Sequence, residues 1–170
     1  MPKKLEHNVI STDDFKEGMR RLAASVNVIT VKHNGIRDGL TATAACSVSI
    51  SPPQLLICVN KNAGAHDLIQ SEGAFGLNIL ARHHEDIAKR FAGIDGTDRK
   101  KRYDVGSWAT LKTGAPILKD ALASFDCQVV NNMSANTHSI IVGHIVAISY
   151  GDGAPLVYGD GQFTGLENWD

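Results

Sequence analysis

The chain has 170 residues, of which 43% are hydrophobic and 21% are charged, a balance typical of a globular protein. Its 17 basic and 18 acidic side chains give a net charge of −1, which argues against a nucleic-acid partner or an anionic membrane surface. No apolar run reaches the ~18 residues of a membrane span, and no secretory signal is visible. We expect one cytoplasmic domain over residues 1–170.

The three cysteines form no redox or metal-binding motif. Cys46, Cys58 and Cys127 each lie in an apolar stretch, and no CxxC pair is present. We expect all three to be buried, reduced thiols that serve packing.

Three short helices are predicted. The first begins at Ser11, which with Asp14 forms a helix-start signal, and it carries an apolar stripe of Phe15, Met19 and Leu22. The second lies near "AHDLIQSEG" and ends at Gly73, and the third lies in "HHEDIAKRFAG" and ends at Gly93.

Six or seven strands are predicted, mostly joined by hairpins. The first ends at Asn34-Gly35, the strongest short hairpin signal, and leads into "GLTATAACSVSISPP", which we interpret as one long strand of mostly small residues. Several later strands are apolar on both faces, which favours a closed barrel with an outer cover. The strands do not alternate with crossover helices, so a doubly wound parallel sheet is excluded.

Two motifs that resemble ligand sites are discounted. "GDGQFTG", residues 159–165, lacks the strand-before, helix-after context of a dinucleotide fingerprint. In "HHED" the adjacent His83 and His84 are expected to point apart, so no metal site is predicted there.

The small-residue stretch carries the main functional signal. Thr41, Thr43, Ser47 and Ser49 alternate, so their hydroxyls would share one face of the expected strand, with small side chains on the other face. Such a surface lets a flat ring approach the backbone, and a flavin with its polar edge fits that demand. Tight packing against another backbone is the equally favoured structural alternative.

A phosphate site is predicted after the next strand. Asn60 and Lys61 precede a helix start, where free backbone amides and a cation suit a phosphate. Arg90 could supply a second cation. The structural alternative is a solvated turn.

Seven segments in order over most of the chain resemble the flavin reductase-like family on the FMN-binding split barrel, the reductase components of two-component flavin-dependent monooxygenases. They include "SVNVITV", "DGLTATAACSVSISPPQLLICVNKNAGAHDLI", "GAFGLNIL", "DIAKRFAG" and "PLVYGDGQFTGLE". The resemblance implies a mainly β fold with α elements: an antiparallel, Greek-key split β-barrel with a few short helices around it. It also implies a homodimer that transfers hydride from NAD(P)H to free FMN or FAD, and reduced flavin that diffuses to a separate oxygenase.

The resemblance further implies positions for the cofactor-binding residues. The flavin ring edge would meet Thr41, Ala42, Thr43, Ala44, Ala45, Ser47 and Ser49. The ribityl chain and phosphate would meet Val59, Asn60, Lys61, Ala65 and His66, and the phosphate or adenine side would be closed by Arg90, Phe91 and Ala92. The nicotinamide would lie by Tyr158 and Gly159.

His138 is the one predicted catalytic residue, placed by the resemblance at a strand start where it could hydrogen-bond the nicotinamide amide or the flavin edge. A satisfied barrel histidine is the structural alternative. The tail "YGDGQF" lacks the cation that many relatives carry, which favours NADH, although NADPH stays open. The functional alternatives are a pyridoxamine-phosphate oxidase-like enzyme on the same barrel, or a flavin- or haem-binding sensor or storage protein.

Overall fold

The computed structural model describes residues 10–166 and 169. The helices are α1 (Thr12–Arg20), α2 (Gly64–Glu72) and α3 (Glu85–Ala92), with 3-10 turns at Arg82–His84 and Arg99–Asp104. The strands are β1 (Ala24–Ser25), β2 (Asn27–His33), β3 (Ile36–Ala42), β4 (Ala45–Ile50), β5 (Pro53–Asn60), β6 (Ala74–Ile79), β7 (Trp108–Thr110), β8 (Pro116–Leu118), β9 (Ala123–Ala135), β10 (His138–Tyr150), β11 (Val157–Gly159) and β12 (Gln162–Thr164).

Seven antiparallel strands form the main sheet, in the order β3-β2-β6-β9-β10-β5-β4. Its two edge strands, β3 and β4, are consecutive in the chain and are joined by only Thr43 and Ala44. The sheet must therefore curl until its edges meet at this corner. The predicted antiparallel, mainly β fold with a few short helices is confirmed.

Two hydrophobic cores lie on the two sides of the curled sheet. One joins β2, β5, β6 and β10 to α2, and Phe75 is its largest member. The other lies under α3 and is centred on Phe91, whose ring packs against Tyr103 and Trp108. The second core holds α3 and the segment after it against β3, next to the corner of the sheet.

The prediction of one long strand over residues 39–53 was wrong, because the chain bends at the corner. The N–H of Ala45 donates to the carbonyl of Thr43 over 3.0 Å, a local turn that ends β3 and starts β4. The pairing of β4 with β5 also shifts register between Ser47 and Ser49. The expected single row of four hydroxyls is therefore broken.

Most of the local signals were correct. Asn34 and Gly35 turn the β2–β3 hairpin with φ of 49° and 80°, values that glycine and asparagine tolerate best. Gly73 and Gly93 end α2 and α3 with φ of 71° and 73°. Ser11 accepts a hydrogen bond from the N–H of Asp14 over 3.0 Å and so caps α1.

The cysteine prediction was correct only in part. Cys127 is buried, and burial raises its pKa to about 12. Cys58 is half-buried, but Cys46 is exposed because it lies on the edge strand β4. Among the described residues, no helix has both the length and the apolar character that a membrane crossing requires.

Candidate active site

A cleft of about 430 Å³ opens at the corner where β3 and β4 meet. Eight of the predicted site residues line it: Thr41, Ala42, Thr43, Ala44, Asn60, Ala92, His138 and Tyr158. Sequence reasoning missed five others, which are Val26, Leu40, Cys58, Ile94 and Phe163. Most of the missed residues are apolar, so they carry no chemical signal in the sequence.

The two-residue link at the corner presents unpaired polar groups to the cleft. Within the described part of the chain, neither the N–H of Thr43 nor that of Ala44 donates to a protein acceptor. The Thr43 hydroxyl is likewise without a hydrogen-bond partner among the described residues, and both side chains are exposed. Because these side chains are small, a flat ligand can reach the backbone amides here.

The Thr41 hydroxyl does not face a ligand, although the sequence predicted that it would. It donates to the carbonyl of Ala88 over 2.6 Å and so ties β3 to α3. This contact adds a second donor to a helix carbonyl and fixes one wall of the cleft. The residue lines the cleft with its remaining surface.

His138 and Asn60 lie opposite each other on the paired strands β10 and β5, and both line the cleft. His138 Nδ1 lies 2.9 Å from the Thr137 hydroxyl, which leaves Nε2 without a protein partner among the described residues. Asn60 accepts a hydrogen bond from the N–H of Asn62 through its side-chain oxygen, over 2.9 Å. Its amide nitrogen has no acceptor among the described residues and is available as a donor.

Two aromatic rings form the far wall. Tyr158 and Phe163 lie on the paired strands β11 and β12, with ring centroids 5.2 Å apart. The predicted Gly159 supports this wall instead of lining the cleft, since a Cβ there would lie 3.2 Å from Ala23. The glycine lets β11 approach the segment that follows α1.

Several predicted residues have side chains outside the cleft. Val59 and Ala65 lie in the first hydrophobic core and Phe91 in the second, each at most 1% exposed. The alternation of strand and helix residues turns these three side chains inward, so in the single chain they belong to the hydrophobic cores and not to the cleft wall.

His66 is buried on α2 and does not line the cleft. Its Nδ1 lies 2.9 Å from Asp67 and its Nε2 lies 2.9 Å from the Ser139 hydroxyl. This order of groups resembles a hydrolase triad, but Ser139 is only 3% exposed and cannot receive a substrate. The network instead supports the strand that carries His138.

Ala45, Ser47 and Ser49 lie on β4, beyond the bend. They line a separate groove of about 280 Å³ with Leu77 and Phe125. The bend at the corner directs this half of the stretch away from the cleft. The expectation that the four hydroxyls share one face was therefore wrong.

The two predicted cations differ in availability. Lys61 follows Asn60 directly and donates from Nζ to the Ser134 hydroxyl over 2.6 Å. It stands two residues before the N-cap of α2, Ala63, which makes no side-chain capping bond. Arg90 instead forms an ion pair with Asp95 and donates to the carbonyl of Lys101, so its charge is compensated away from the cleft.

A buried carboxylate that sequence reasoning missed holds the segment after α3 in place. Asp38 is 3% exposed and accepts hydrogen bonds from Arg99 and Arg102. The Tyr103 hydroxyl donates to its backbone carbonyl over 2.6 Å, and burial raises the pKa of Tyr103 above its usual range. The run "DRKKRYD" was the available signal, because clustered arginines suit a buried carboxylate.

The adjacent histidines of "HHED" do not point apart. The rings of His83 and His84 are 3.9 Å apart in their 3-10 turn, and both ligand atoms lie within 4.8 Å of Asp120. The N–H of Ala81 donates to Nδ1 of His84, which fixes the proton of the neutral ring on Nε2, 3.1 Å from Asp120. Burial lowers the pKa of His84, so this neutral form is favoured and offers no lone pair at Nε2 to a metal.

The curled antiparallel sheet and the cleft of small residues at its corner are suited to a flat ligand with a polar edge. The chain belongs to the flavin reductase like domain family, whose match covers residues 19–167. The predicted family and the oxidoreductase class are thereby confirmed.

Individual relatives agree with this assignment. The chain is 42% identical to "FMN reductase (NADH) RutF" of Agrobacterium fabrum over 147 residues, which are 85% of this chain and 83% of the relative. It matches the structure of flavin reductase PheA2 with a TM-score of 0.86 and 30% identity, over 94% of this chain and 100% of that one. It also matches BorF, the flavin reductase component of a bacterial two-component tryptophan halogenase, with a TM-score of 0.84 and 33% identity, over 92% and 98% of the two chains.

Proposed function

We propose that the chain is an NADH-dependent FMN reductase that releases reduced flavin to a separate monooxygenase component. The observation that carries this proposal is the corner link, where the N–H groups of Thr43 and Ala44, which have no acceptor in the described part of the chain, border a cleft of small and apolar side chains. A flavin ring has a polar edge that needs such donors and an apolar remainder that suits Val26, Leu40 and Ile94.

The phosphate of FMN is assigned to Lys61 and the start of α2. Lys61 adjoins Asn60, which lines the cleft, and its ammonium group contacts a hydroxyl rather than a carboxylate. The amides of the first turn of α2 add donors and the positive end of the helix dipole. FMN would therefore extend from the corner link toward Lys61.

When bound, the two cofactors supply hydride transfer from nicotinamide C4 to flavin N5, so the protein needs to position rather than to protonate. His138 lines the cleft, and its Nε2 has no partner among the described residues, so this side chain is suited to hold the nicotinamide amide or the flavin edge. Tyr158 and Phe163 form the apolar wall against which the nicotinamide would lie. The role proposed for His138 is therefore to position the reactants.

The preferences for NADH over NADPH and for FMN over FAD are inferred from the relatives and from strands β11 and β12. The relative from Agrobacterium fabrum is named for FMN and NADH. No lysine or arginine of β11 or β12 is available to bind a 2′-phosphate, because neither strand contains one. NADH and FMN are therefore the proposed substrates, with NADPH and FAD as poorer ones.

A second copy of the chain is proposed to pack against β9 and β10. These strands expose large apolar side chains in the single chain, including Val130, Met133 and Tyr150. Exposed apolar surface of this kind marks an interaction face. Light scattering tests this, since a dimer mass is expected and a monomer mass would contradict it.

The function is tested by mixing the protein with NADH and FMN and following absorbance at 340 nm. Loss of NADH that depends on both protein and FMN is expected, and it should be faster than with NADPH or FAD. An oxygen-free assay should show bleaching of the flavin absorbance with the same dependence. If neither NADH nor NADPH is consumed with either flavin, the proposal is wrong.

A further inference from the structure

We propose that the groove beside α1 binds the pyrophosphate and adenosine part of the nicotinamide dinucleotide, and that Lys16 and Arg20 are its phosphate-binding residues. The inference rests on the proposed function, because it extends the cleft where the nicotinamide would react. It assigns a role to α1, a helix that buries none of its residues in the single chain.

The groove is a cavity of about 380 Å³ that shares a wall with the cleft. Thr43, Ala44 and Tyr158 line both spaces. A dinucleotide whose nicotinamide lies in the cleft must direct its remaining part out of it. The shared wall leads that part into the groove.

The position of α1 relative to the cleft is fixed by backbone contacts. The N–H of Asp160 donates to the carbonyl of Arg20 over 2.8 Å. Ala24 pairs with Tyr158 between β1 and β11, so the chain after α1 is part of the same small sheet. The groove is therefore a preformed feature beside the cleft.

The charges of the groove match a pyrophosphate. Lys16 and Arg20 are the charged residues that line it, and the carboxylates of α1 are absent from the lining within the described part of the chain. Neither cation forms an ion pair with a described residue, whereas the neighbouring Arg21 pairs with Glu17 over 2.8 Å. Two unpaired cations next to each other favour a doubly charged anion.

The apolar part of the groove matches the adenosine. Phe15, Met19 and Leu22 line it and are between 49% and 62% exposed. Binding of a flat base is favoured when it covers such apolar side chains and removes them from water. An apolar face of a second copy would instead bury two unpaired cations, which is unfavourable.

The test is steady-state kinetics of the whole protein and of the double variant Lys16→Ala, Arg20→Ala. The KM for NADH is expected to rise about tenfold or more, with kcat and the KM for FMN near their original values, because only binding of the donor is lost. Arg21→Ala is the control, since it removes one positive charge at the same end of the helix but outside the groove, and it should leave every constant unchanged.

Two further probes separate the phosphate contact from general damage to α1. Reduced nicotinamide riboside has no phosphate, so its KM should be equal in the two proteins. ADP-ribose, titrated by calorimetry, should bind the double variant about tenfold more weakly. Unchanged binding of ADP-ribose, an unchanged KM for NADH, or an equal rise in the KM for the riboside would overturn the proposal.

The same data distinguish failure of the groove from failure of the function. If the original protein oxidises NADH with FMN and the double variant behaves identically, the groove assignment is wrong and the function stands. If the original protein neither turns over NADH nor binds ADP-ribose, both are wrong.

Discussion

The stretch from Gly39 to Ile50 contains two halves of almost the same composition that meet different surroundings. In the first half, a Cβ on Gly39 would lie 2.5 Å from the carbonyl of Ile29, and Thr41 is bonded to α3. In the second half, Cys46, Ser47 and Val48 are exposed on an edge strand. Only the first half and the link after it line the cleft.

The difference shows that small residues serve two separate physical purposes here. At Gly39 the absence of a side chain allows close backbone packing, which was the structural alternative raised from sequence. At Thr43 and Ala44 small side chains keep a cleft open. The two purposes are a few residues apart, and the bend between β3 and β4 divides them.

The largest expected effect is the loss of stability on removing the Asp38 carboxylate, which holds the first half of the stretch in place. Asp38→Asn should lower the free energy of unfolding by about 3 kcal/mol, because a buried carboxylate that pairs with Arg99 and Arg102 is lost. Urea denaturation measures this change. Ser49→Ala, the comparison in the second half, should change it by less than about 0.5 kcal/mol. Equal losses of unfolding free energy in the two variants would contradict the view that only the first half is held by buried contacts.

The second prediction concerns a substitution that fills the cleft at the two-residue link. Ala44→Trp should reduce FMN reductase activity about 100-fold or more, since the indole would occupy the space beside the free amides. Ser47→Trp adds the same bulk on β4, outside the cleft, and should keep most of the activity. Thermal unfolding confirms that both variants fold. Retained activity in the Ala44 variant would show that the flavin binds elsewhere.

The sequence was sufficient for the fold and for part of the site because those features depend on local chemistry. Asn34-Gly35, Gly73 and Gly93 define turns through their own backbone preferences. The bend at Thr43 and Ala44 has no such signal, since it arises from closure of the sheet. The inward orientation of Phe91 and the burial of Asp38 likewise depend on partners distant in the chain.

The third prediction separates two hydroxyls that looked equivalent in the sequence. Thr43→Val should weaken FMN binding about five- to tenfold, because this hydroxyl has no described protein partner and is available to the ligand. Thr41→Val should instead lower stability by about 1 kcal/mol, since the hydrogen bond between β3 and the Ala88 carbonyl of α3 is lost. Fluorescence titration and urea unfolding measure the two effects. The reverse assignment would mean that Thr41 contacts the flavin.

The smallest expected effect is a difference in thiol alkylation between the two surfaces. At pH 8, iodoacetamide should modify the exposed Cys46 first, because burial and the nearby Cys46 raise the pKa of Cys58 and leave less of its reactive thiolate. Cys127, buried and with a pKa of about 12, should stay unmodified in the folded protein. The rate at Cys58 should therefore continue to rise as the pH is raised above 8, since more thiolate forms.

Alkylation in the presence of FMN shows which of the two cysteines the bound flavin covers. Cys58 lines the cleft and Cys46 lines the separate groove on β4, so saturating FMN should protect Cys58 and leave the rate at Cys46 unchanged. Peptide mass spectrometry after timed quenching resolves the two sites. If FMN protects Cys46 alone, the flavin binds on β4, because only a ligand on that strand could cover this thiol and leave Cys58 reactive. That result would contradict the conclusion that only the half before the bend lines the flavin site.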